Sequence, residues 1–554
     1  MSKKILVDVN IFQDVLSNRE GAYAGAEILN LIKKKELEGW VSANTYGILF
    51  YLQRKVNSEE KARKYVSQIL NDFVIIPTRK RLIQHALESD SPDFEDNIQI
   101  ESAAQFTMDA IITRNKKDFE NSRVPAYTPE EYLENVFISH QVTKSQSLTV
   151  PFLDLKAQLK DVYNDVDDEI TKIISNTAFV MGKSVAEFER AFGSIHNSKY
   201  CYGVSTGTAG NHMVLWALGV GPGDEVIIPD NTFIATAWGA TLCGAKPVFV
   251  DCHPASYNID PSKVEAAITE KTKAIVAVHL YGQATDVGVI SEELMVNGFE
   301  LKEKGVFVHK DSGQTIYLVE DCAQAHIGEY KGTRVGGLGI ASSFSFYPGK
   351  NLGAYGEGGA VMTDSEELAK KFKMIRDHGA EQKYYHQIYG HNYRMEGIQG
   401  AVLGVKLKHL EDWTNGRRRV AAKYKELLKD VEQIKLPKEM DYAKHVYHLF
   451  VIQVNSELGI VNGSKLVNSE EGIVKSARRD ELQKYLNENG IATGLHYPVP
   501  LHLQPCFEHL GYKKGDFPVS EELAEQGLSL PMYAELTDEQ IGYVCEKMKE
   551  FFKK

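Results

Sequence analysis

The apolar and polar positions of the first 140 residues follow two alternating periods. Short apolar runs predict buried strands at 4–9, 39–43, 73–76 and 110–113. Between these runs lie segments with a helical period, including 21–37 and 98–106. Strands that alternate with helices are typical of a parallel sheet with helices on its faces. The predicted fold class of this part is therefore α/β.

A polar segment interrupts this pattern at residues 138–149. The segment is rich in Ser and Thr and has no period, so we interpret it as a linker. Three domains are expected around this linker, and they comprise residues 1–137, 150–399 and 400–554.

The region after the linker begins as a longer α/β body. Strands are predicted at 225–228, 247–250, 274–278, 316–319, 341–346 and 359–362. Towards the C-terminus the pattern changes to one long helix at 397–430, a strand at 447–454 and a helix at 478–489. This change indicates a smaller second lobe. Two polar stretches without a period are interpreted as surface insertions, at 292–315 and 455–477.

Composition and charge narrow the class of protein. Of the 554 residues, 43% are apolar and 25% are charged, which are typical values for globular proteins. No run of 18 apolar residues is present, and Asp8 and Asn10 interrupt the first apolar stretch, so we expect neither a membrane helix nor a secretory signal. Six cysteines without a CxxC pair argue against a disulfide framework or a zinc site and favour the cytoplasm. A net charge of −12 argues against a basic nucleic-acid-binding body.

Three features after residue 150 carry candidate chemistry. Lys350 follows a predicted strand in a Pro-Gly turn, and a lysine in such a place can form a Schiff base. Asp321 ends a different strand, where an acid can face a pyridinium nitrogen. The segment 206–210 precedes an apolar helix at 211–218 and can hold a phosphate with its backbone amides. Each feature alone also fits a surface lysine or a helix cap, but their order and spacing together favour a cofactor site.

The same region contains a series of longer motifs. In chain order they are VPFLDLKAQ, STGTAGNHMVLWALGVGPGDEVIIPDNTFIATA, GAKPVFVD, YNIDP, KTKAIVAVHLYGQ, VEDCAQAHIGEYKG, FSFYPGKNLGAYGEGGAV, HNYRMEGIQGAVLGVKL and GLHYPVPLHLQP. With these motifs, residues 150–554 resemble the DegT/DnrJ/EryC1/StrS sugar aminotransferases, which have the pyridoxal-phosphate-dependent fold type I. The resemblance implies a large α/β domain that binds pyridoxal 5'-phosphate and a smaller α+β domain. Both expected insertions fall where members of the family are usually shorter.

The resemblance implies a role for each matching residue at the cofactor. Lys350 matches the lysine that binds the cofactor covalently, and Asp321 matches the acid that keeps the ring nitrogen protonated. Phe233 matches the aromatic residue stacked on the ring, and Gln324 matches the residue beside its phenolic oxygen. The residues implied at the phosphate are Gly207, Thr208, Ala209 and Ser345.

Further matches concern the second subunit and the sugar. Asn392 matches a residue that the other subunit lends to the phosphate, which implies a homodimer. Some relatives carry that asparagine two positions further on, where this chain has Arg394. His496 and Tyr497 fall in the segment that approaches the sugar nucleotide in relatives acting at the third carbon, although a loop histidine and a packed tyrosine fit equally well.

The implied reaction is transamination. Relatives that dehydrate their substrate carry histidine at the position of Lys350, which this chain keeps as lysine. Lys350 would move the proton of an amino donor, by resemblance L-glutamate, and would act again when the amine condenses with the keto group of a nucleotide-linked hexose. The motifs HNYRMEGIQGAVLGVKL and HYPVPLHLQP favour a 3-keto over a 4-keto sugar. The nucleotide, dTDP or UDP, stays open.

The first 140 residues resemble a second family. The motifs ILVDVNIFQDVL, VSANTYGILFYLQRK, DFEDNIQIESA and DAIITRNKKDF are similar to those of PIN domains, the fold of many toxin-type ribonucleases. Such nucleases gather three or four carboxylates that hold Mg²⁺ or Mn²⁺ and activate water. Asp8 matches the first acid, Asp96 the third, and Asp118 or the amide of Asn115 the last, but the second position falls at about Gly47. An active ribonuclease and a weakened or inactive one both fit this pattern.

Three functions are therefore weighed. The first is a sugar aminotransferase of amino-sugar biosynthesis that carries a PIN appendage. The second is a toxin-type PIN ribonuclease with the aminotransferase part as passenger, and the third is an N-terminal module that only recruits RNA or a partner. The first is favoured because residues 150–554 hold a full set of catalytic positions, whereas residues 1–140 lack one.

Overall fold

The computed structural model describes residues 3–17, 19, 21–89, 93–137, 148–455 and 477–553. The chain divides into two compact units, residues 1–147 and residues 148–554. Most of the expected linker 138–149 and most of the expected insertion 455–477 lie outside the described residues. Among the helices of the described residues, none has the length and apolar character that crossing a membrane requires.

The N-terminal unit contains a five-stranded sheet. Its strands are β1 Lys4–Val7, β2 Glu38–Ser42, β3 Val74–Ile76, β4 Ala110–Ile112 and β5 Ala126–Tyr127. They pair in the order β3-β2-β1-β4-β5, and every pair is parallel. The α-helices are Val9–Ser17, Ala22–Lys33, Ala43–Val56, Glu59–Leu70, Lys80–Glu88, Phe94–Gln105 and Pro129–Glu131. The predicted parallel α/β architecture of this part is confirmed.

The second unit is built on a larger, mostly parallel sheet. The sheet consists of β6 Tyr200–Val204, β7 Glu225–Pro229, β8 Lys246–Val250, β9 Thr272–Val278, β10 Phe299–Glu303, β11 Val306–His309, β12 Thr315–Asp321, β15 Ala341–Ser345 and β16 Gly359–Thr363, while β13 Glu329–Tyr330 and β14 Thr333–Arg334 pair outside it. Seven of them follow the order β6-β16-β15-β12-β9-β7-β8, in which β16 runs antiparallel to both neighbours. Val226, Ile227 and Ile228 of β7 are fully buried, as expected for a parallel sheet covered on both faces.

The remaining strands of this unit are short. They are β17 Ala380–Gln382, β18 Tyr385–His386, β19 Ile434–Lys435, β20 Ala443–Lys444, β21 Phe450–Val454 and β22 Gly527–Leu530. The strands β19, β21 and β22 form a small antiparallel sheet. Phe450 and Ile452 of that sheet share an apolar cluster with Leu482 and Val544 from two C-terminal helices. A large α/β part and a smaller α+β part are thus both present, as predicted.

Eleven α-helices complete the described part of this unit. They are Leu155–Ser175, Lys183–Ile195, Gly207–Ala217, Ile234–Leu242, Val287–Val296, Glu366–Arg376, Gly397–Lys406, Leu410–Leu428, Ala477–Glu488, Pro518–Gln526 and Asp538–Lys553. The prediction of one helix over 397–430 was wrong, because a 3₁₀ turn at Leu407–His409 separates two of these helices. Leu407 and Leu410 are both buried, so the apolar period continues across the turn and conceals it in the sequence.

The stretch 292–315 is more regular than its sequence indicated. It includes β10 and β11, which form an antiparallel hairpin, and β11 pairs with the first residues of β12. In β10 only Phe299 is buried and the next four residues are exposed, so the strand shows no alternation of apolar and polar positions. Gly305 turns the hairpin with a φ of 72°, a conformation that glycine adopts without steric cost.

Candidate active site

Lys350 lies in a closed loop between β15 and β16. The Lys350 N–H donates to the Tyr347 carbonyl at 2.8 Å, and the Ala354 N–H donates to the Phe346 carbonyl at 2.8 Å. The Phe346 N–H in turn donates to the Gly358 carbonyl at 2.8 Å. These backbone hydrogen bonds fix the loop at the carboxyl end of β15.

Asp321 ends β12, which pairs in parallel with β15, so the acid and the lysine loop leave the same edge of the sheet. Asp321 is only 4% exposed. Its Oδ2 accepts hydrogen bonds from Asn211 Nδ2 at 2.9 Å and from the Thr236 hydroxyl at 2.8 Å. Its Oδ1 accepts the Ala323 N–H at 3.1 Å. Three donors therefore hold this carboxylate in place.

Burial brings the pKa of the Lys350 amine close to neutral pH. Burial lowers the pKa of Lys350 to about 8, and the Asp321 charge acts in the opposite direction. A lysine whose pKa lies this close to neutrality is available both as a nucleophile and as a proton carrier.

Three histidines, buried His326 and half-buried His448 and His496, feel the charge of this amine and are neutral. Burial is the main cause that lowers the pKa of His326 to about 3 and that of His496 to about 4, and the Lys350 charge lowers both further. The same two causes hold the pKa of His448 well below its usual value. Because the rings are neutral at physiological pH, they place no positive charge beside Lys350.

Gln324 is fixed in orientation by two tyrosines. Its Oε1 accepts the Tyr281 backbone N–H at 2.6 Å, so its amide nitrogen must point the other way. That nitrogen donates to the Tyr497 hydroxyl at 3.0 Å. Phe233, which is 51% exposed, has its ring centroid 5.4 Å from that of Tyr497. Gln324, Phe233 and Tyr497 therefore form one connected group.

The helix Gly207–Ala217 begins beside the end of β15. Thr206 is its N-cap, and the Thr206 hydroxyl accepts the Ala209 N–H at 2.9 Å. The first turn of a helix has backbone N–H groups without intrahelical partners and attracts anions. A Cβ on Gly207 would lie 2.6 Å from the Cβ of Ser345, so only glycine allows this close approach. Within the segment 206–210, the residue that caps the helix is Thr206.

His496 packs against the first residues of this unit. Its ring stacks on that of Phe152 at a centroid distance of 5.6 Å, and its Nδ1 lies 2.8 Å from the Ser529 hydroxyl. The Tyr281 hydroxyl donates to the His496 carbonyl. His496 and Tyr497 are therefore tied to the group around Gln324.

Asn392 and Arg394 lie on an extended segment next to the end of β6. Arg394 forms an isolated backbone bridge with Val204, and Asn392 forms one with Asp377. The Arg394 guanidinium pairs with the Asp377 carboxylate at 2.8 Å. Asn392 is exposed. Of the two, the exposed amide is thus the better candidate for contact with another chain.

Several polar residues of the site had not been predicted. Asn211 and Thr236 donate to Asp321, and Tyr281 orients Gln324, although all three lie far from these partners in the sequence. The sequence signal that could have found them is weak. Asn211 lies one helical turn after the phosphate-binding turn, and Thr236 lies three residues after Phe233, so each was near a predicted site residue.

A second buried ionic group in this unit is structural. His279, Glu320 and Cys322 have possible ligand atoms within 4.8 Å of one another. However, His279 Nδ1 accepts the Thr285 N–H at 2.9 Å, so its Nε2 carries the proton donated to Glu320 at 3.0 Å. Glu320 also accepts three backbone N–H groups, from Gly336, Leu338 and Gly339. The histidine has no lone pair left for a metal ion.

The N-terminal unit gathers acids at the carboxyl end of β1. Asp8, Glu95 and Asp96 have carboxylate oxygens within 4.8 Å of one another. Asp8 accepts hydrogen bonds from Gln99 Nε2 at 3.0 Å and from the Thr113 hydroxyl at 2.7 Å, and Gln99 Nε2 also reaches Glu95 Oε1 at 2.8 Å. Burial, followed by the charge of Asp8, raises the pKa of Glu95 to about 7 and that of Asp96 to about 8. Such crowding of charge suits a bound divalent cation.

This acidic group differs from the predicted one. Glu95 had not been predicted, although it precedes Asp96 directly and lies with it in the first turn of the helix Phe94–Gln105. Asp118 is not among the three clustered acids, and its side chain accepts a hydrogen bond from Asn115, but its charge contributes to the raised pKa of Asp96. Gly47 is exposed, and a Cβ there would meet no atom within 4 Å.

The residues of the larger site fit pyridoxal phosphate. Lys350 offers an amine that can bond to an aldehyde, and Asp321 offers a carboxylate for a ring N–H. The helix Gly207–Ala217 begins beside Ser345, and a helix N-terminus stabilises a phosphate. The chemistry of each group of the cofactor therefore has a counterpart in this chain.

Comparison with known families agrees with this geometry. Residues 161–549 match the DegT/DnrJ/EryC1/StrS aminotransferase family, and residues 4–117 match the PIN domain. The chain belongs to the DegT/DnrJ/EryC1/StrS aminotransferase family, and its N-terminal unit is a PIN domain. It is accordingly an enzyme of the transferase class.

Curated relatives cover the aminotransferase unit. A pleiotropic regulatory protein of Geobacillus stearothermophilus is 42% identical, over 73% of this chain and 99% of its own. The dTDP-3-amino-3,4,6-trideoxy-alpha-D-glucose transaminase of Streptomyces venezuelae is 36% identical, over 74% and 98%. The UDP-N-acetyl-3-dehydro-alpha-D-glucosamine 3-aminotransferase of Acidithiobacillus ferrooxidans is 36% identical, over 72% and 97%.

Solved structures have the same fold. The structure of S. venezuelae DesV in complex with a ketimine intermediate has a TM-score of 0.65 and 36% identity, and the match covers 73% of this chain and 99% of that one. The structure of NtdA from Bacillus subtilis with bound cofactor PMP has a TM-score of 0.62 and 27% identity, with coverage of 79% and 96%.

Proposed function

We propose that residues 148–554 transfer an amino group from L-glutamate to the 3-keto group of a nucleotide-linked hexose, in amino-sugar biosynthesis. The observation that carries this proposal is the placement of the Lys350 amine and the Asp321 carboxylate at one edge of one sheet. The names of two relatives support the sugar position, since both act at the third carbon of a sugar linked to dTDP or UDP. A 4-keto sugar is the alternative substrate.

The cofactor of this reaction is pyridoxal phosphate, whose ring stores the electron pair that a departing proton leaves behind. Lys350 would bind it and then carry the proton in both halves of the reaction. With a pKa of about 8, its amine takes up and releases a proton near neutral pH at little cost. The rings of His326, His448 and His496 are neutral, so they add no positive charge that would lower the pKa of Lys350 further.

The other residues would hold the cofactor in place. Asp321 would accept the ring N–H, and Gln324 would donate its second amide proton to the phenolic oxygen, because its first goes to Tyr497. Phe233 would cover the exposed face of the ring. The phosphate would be held by Gly207, Thr208, Ala209 and Ser345.

The sugar nucleotide would approach from the side of His496 and Tyr497. His496 is held by Ser529 and Phe152, and Tyr497 by Gln324 and Phe233, so both side chains have fixed positions. Fixed side chains lose little entropy when a substrate binds, which favours precise placement of its keto group.

The active unit proposed is a homodimer. Asn392 is exposed, while its neighbour Arg394 is paired with Asp377. In a two-fold dimer the same surface is used twice, so Asn392 of each subunit would reach the phosphate of the other.

The division of this unit into 150–399 and 400–554 is likewise proposed, with the boundary near the helix Gly397–Lys406.

For the PIN domain we propose metal-dependent cleavage of RNA, with the metal bound by Asp8, Glu95 and Asp96. The supporting observation is that the three carboxylates lie within 4.8 Å of one another. Glu95 supplies a carboxylate that the sequence motif does not provide at Gly47. Mg²⁺ or Mn²⁺ bound there would activate water and stabilise the charged phosphate. A role limited to RNA recruitment is the alternative.

A substrate panel tests the main proposal. The full-length protein loaded with pyridoxal phosphate is mixed with L-glutamate and with 3-keto or 4-keto hexoses linked to dTDP or UDP, and amino-sugar product is measured by mass spectrometry. We expect product from a 3-keto sugar and release of 2-oxoglutarate. Product from 4-keto sugars alone would contradict the proposed position.

A further inference from the structure

A chain of hydrogen bonds converges on one oxygen of Asp321. The hydroxyl of Thr236 and the amide of Asn211 both donate to Oδ2, at 2.8 and 2.9 Å. The Ser343 hydroxyl donates to the Asn211 Oδ1, and the Thr232 and Thr236 hydroxyl oxygens are 3.1 Å apart. All these side chains are at least nine-tenths buried.

The donor of each hydrogen bond in this network can be assigned. A carboxylate only accepts, so Asn211 must turn its NH₂ group towards Asp321 and its carbonyl towards Ser343, which must donate. The Thr236 hydroxyl donates its proton to Asp321, so the Thr232 hydroxyl must donate to the Thr236 oxygen. Two arms, Ser343–Asn211 and Thr232–Thr236, thus direct all their dipoles at the same oxygen, and such chains strengthen one another in a buried setting.

Three of the donors come from separate parts of the unit, and Thr232 lies four residues before Thr236. Asn211 belongs to the helix that begins at the phosphate turn, Thr236 to the helix that follows Phe233, and Ser343 to β15. Their convergence cannot follow from local structure. The two hydrogen bonds from Thr236 and Asn211 hold the Asp321 carboxylate by Oδ2. Asp321 Oδ1 has a single donor, the Ala323 N–H at 3.1 Å.

We propose that Thr236 and Asn211 are positioning residues of the transamination, which hold Asp321 in its charged form so that the shared proton stays on the ring nitrogen of the cofactor. The proposal rests on the role of Asp321 given above. Hydrogen bonds donated to a carboxylate stabilise its charged form. Without them the acid competes better for the proton, and the ring becomes a poorer electron store.

The variant Thr236→Val separates the hydroxyl from the shape of the side chain. Valine keeps the volume of threonine, which matters because a cavity of about 10 Å³ lies beside Asn211, Thr236 and Ser343. Alanine, which lacks both the hydroxyl and the methyl group, would enlarge that cavity and admit a water in place of the hydroxyl. Thr236→Ser keeps the hydroxyl and serves as the rescue variant. Thr414→Val is the matched control, because the buried Thr414 hydroxyl has no partner in the described part of the chain.

The measurement uses the full-length protein loaded with pyridoxal phosphate labelled with ¹⁵N in the ring. The ¹⁵N chemical shift reports where the proton lies, and stopped-flow absorbance gives the rate of the half-reaction with L-glutamate. For Thr236→Val we expect a shift towards the unprotonated value and a rate that is lower by about ten-fold or more, as for loss of one hydrogen bond to a charged group. Thr236→Ser and Thr414→Val should match the wild type. If Thr236→Val does not retain the cofactor, Ser343→Ala, which removes a donor one bond further out, should show a smaller change in the same direction.

Asp321→Asn, measured in parallel, separates the role of Asp321 itself from the role of the residues that donate to it. If Asp321→Asn leaves the ¹⁵N shift unchanged, the proposed role of Asp321 itself is wrong. If Asp321→Asn changes the shift but Thr236→Val and Ser343→Ala do not, the positioning role is overturned while the proposed function stands. An equal loss of rate in Thr236→Ser would also overturn it, because the hydroxyl is kept there.

Discussion

The amide nitrogen of Gln324 donates to the hydroxyl of Tyr497 across 3.0 Å, which joins residues 173 positions apart in the sequence. Tyr497 was expected beside the sugar nucleotide, yet its hydroxyl contacts a residue expected beside the cofactor. Its ring also lies 5.4 Å from Phe233, a further residue expected at the cofactor. Tyr497 therefore connects the two groups of residues.

The change Tyr497→Phe should slow both halves of the reaction. It removes the acceptor of one Gln324 amide proton and leaves that buried donor unpaired, which costs about 1–3 kcal/mol, or about ten-fold or more in rate. Single-turnover absorbance with L-glutamate and then with the keto sugar measures each half. A control is Tyr132→Phe in the PIN domain, since the buried Tyr132 hydroxyl has no partner within the described residues. Slowing of the sugar half alone would mean that Tyr497 acts on the substrate and that its contact with Gln324 does not affect the cofactor.

The loading of the cofactor should depend on the protonation of Lys350. Burial lowers the pKa of this amine to about 8, and only the neutral amine attacks an aldehyde. The rate at which apoprotein acquires visible absorbance with pyridoxal phosphate should therefore rise with pH, with a midpoint near 8. Asp321 acts to raise this pKa, so Asp321→Asn should move the midpoint to lower pH. A midpoint above 10 in the wild type would show that the amine is not buried in solution.

The acids of the PIN domain should bind Mn²⁺ more tightly as the pH rises. Burial and the charge of Asp8 raise the pKa of Glu95 to about 7 and that of Asp96 to about 8, so their protons compete with the metal near neutral pH. Calorimetric titration of the full-length protein at pH 6 and pH 8.5 measures the difference.

Glu95→Gln tests whether the acid absent from the sequence prediction is a ligand. The change should weaken Mn²⁺ binding about ten-fold or more, because a charged oxygen ligand is lost. Glu101→Gln changes a residue of the same helix that is not among the clustered acids, and it should bind like the wild type. Gly47→Glu should leave the fold intact, because Gly47 is exposed and a Cβ there meets no atom within 4 Å. Equal affinity for Glu95→Gln and wild type would restrict the ligands to the two aspartates.

Subunit mixing tests the proposed dimer. Lys350→Ala and Asn392→Ala are each expected to form dimers of low activity. If Asn392 acts in the partner's site, each mixed dimer has one site with both residues intact, and random mixing should restore roughly a quarter of wild-type activity. Light scattering confirms the dimer. Mixed samples no more active than the separate variants would contradict the shared site.

Lys350, Asp321 and Gln324 could be singled out from the sequence because each lies within a contiguous motif. Asp321 and Gln324 fall in VEDCAQAH and Lys350 falls in FYPGKN, so a short window of sequence contains each residue with its neighbours. The strands were predictable for a related reason, since buried parallel strands are short apolar runs.

The contacts between motifs were not predictable from periodicity. Asn211 and Thr236 lie 110 and 85 residues from Asp321, and only the order of strands in the sheet brings them to one oxygen. Glu95 was overlooked for a similar reason, since a helix start brings it to Asp8 while the sequence motif directed attention to Gly47. The 3₁₀ turn at Leu407–His409 was hidden because its apolar residues keep the helical period.

The most direct test of the central claim follows the visible absorbance of the protein loaded with pyridoxal phosphate. Addition of L-glutamate to the wild type should bleach the absorbance with release of 2-oxoglutarate, and a nucleotide-linked 3-keto hexose should then restore it. Lys350→Ala should keep the wild-type circular dichroism and melting temperature but show neither change at a comparable rate. Turnover of glutamate and keto sugar by Lys350→Ala at a rate near that of the wild type would contradict the account.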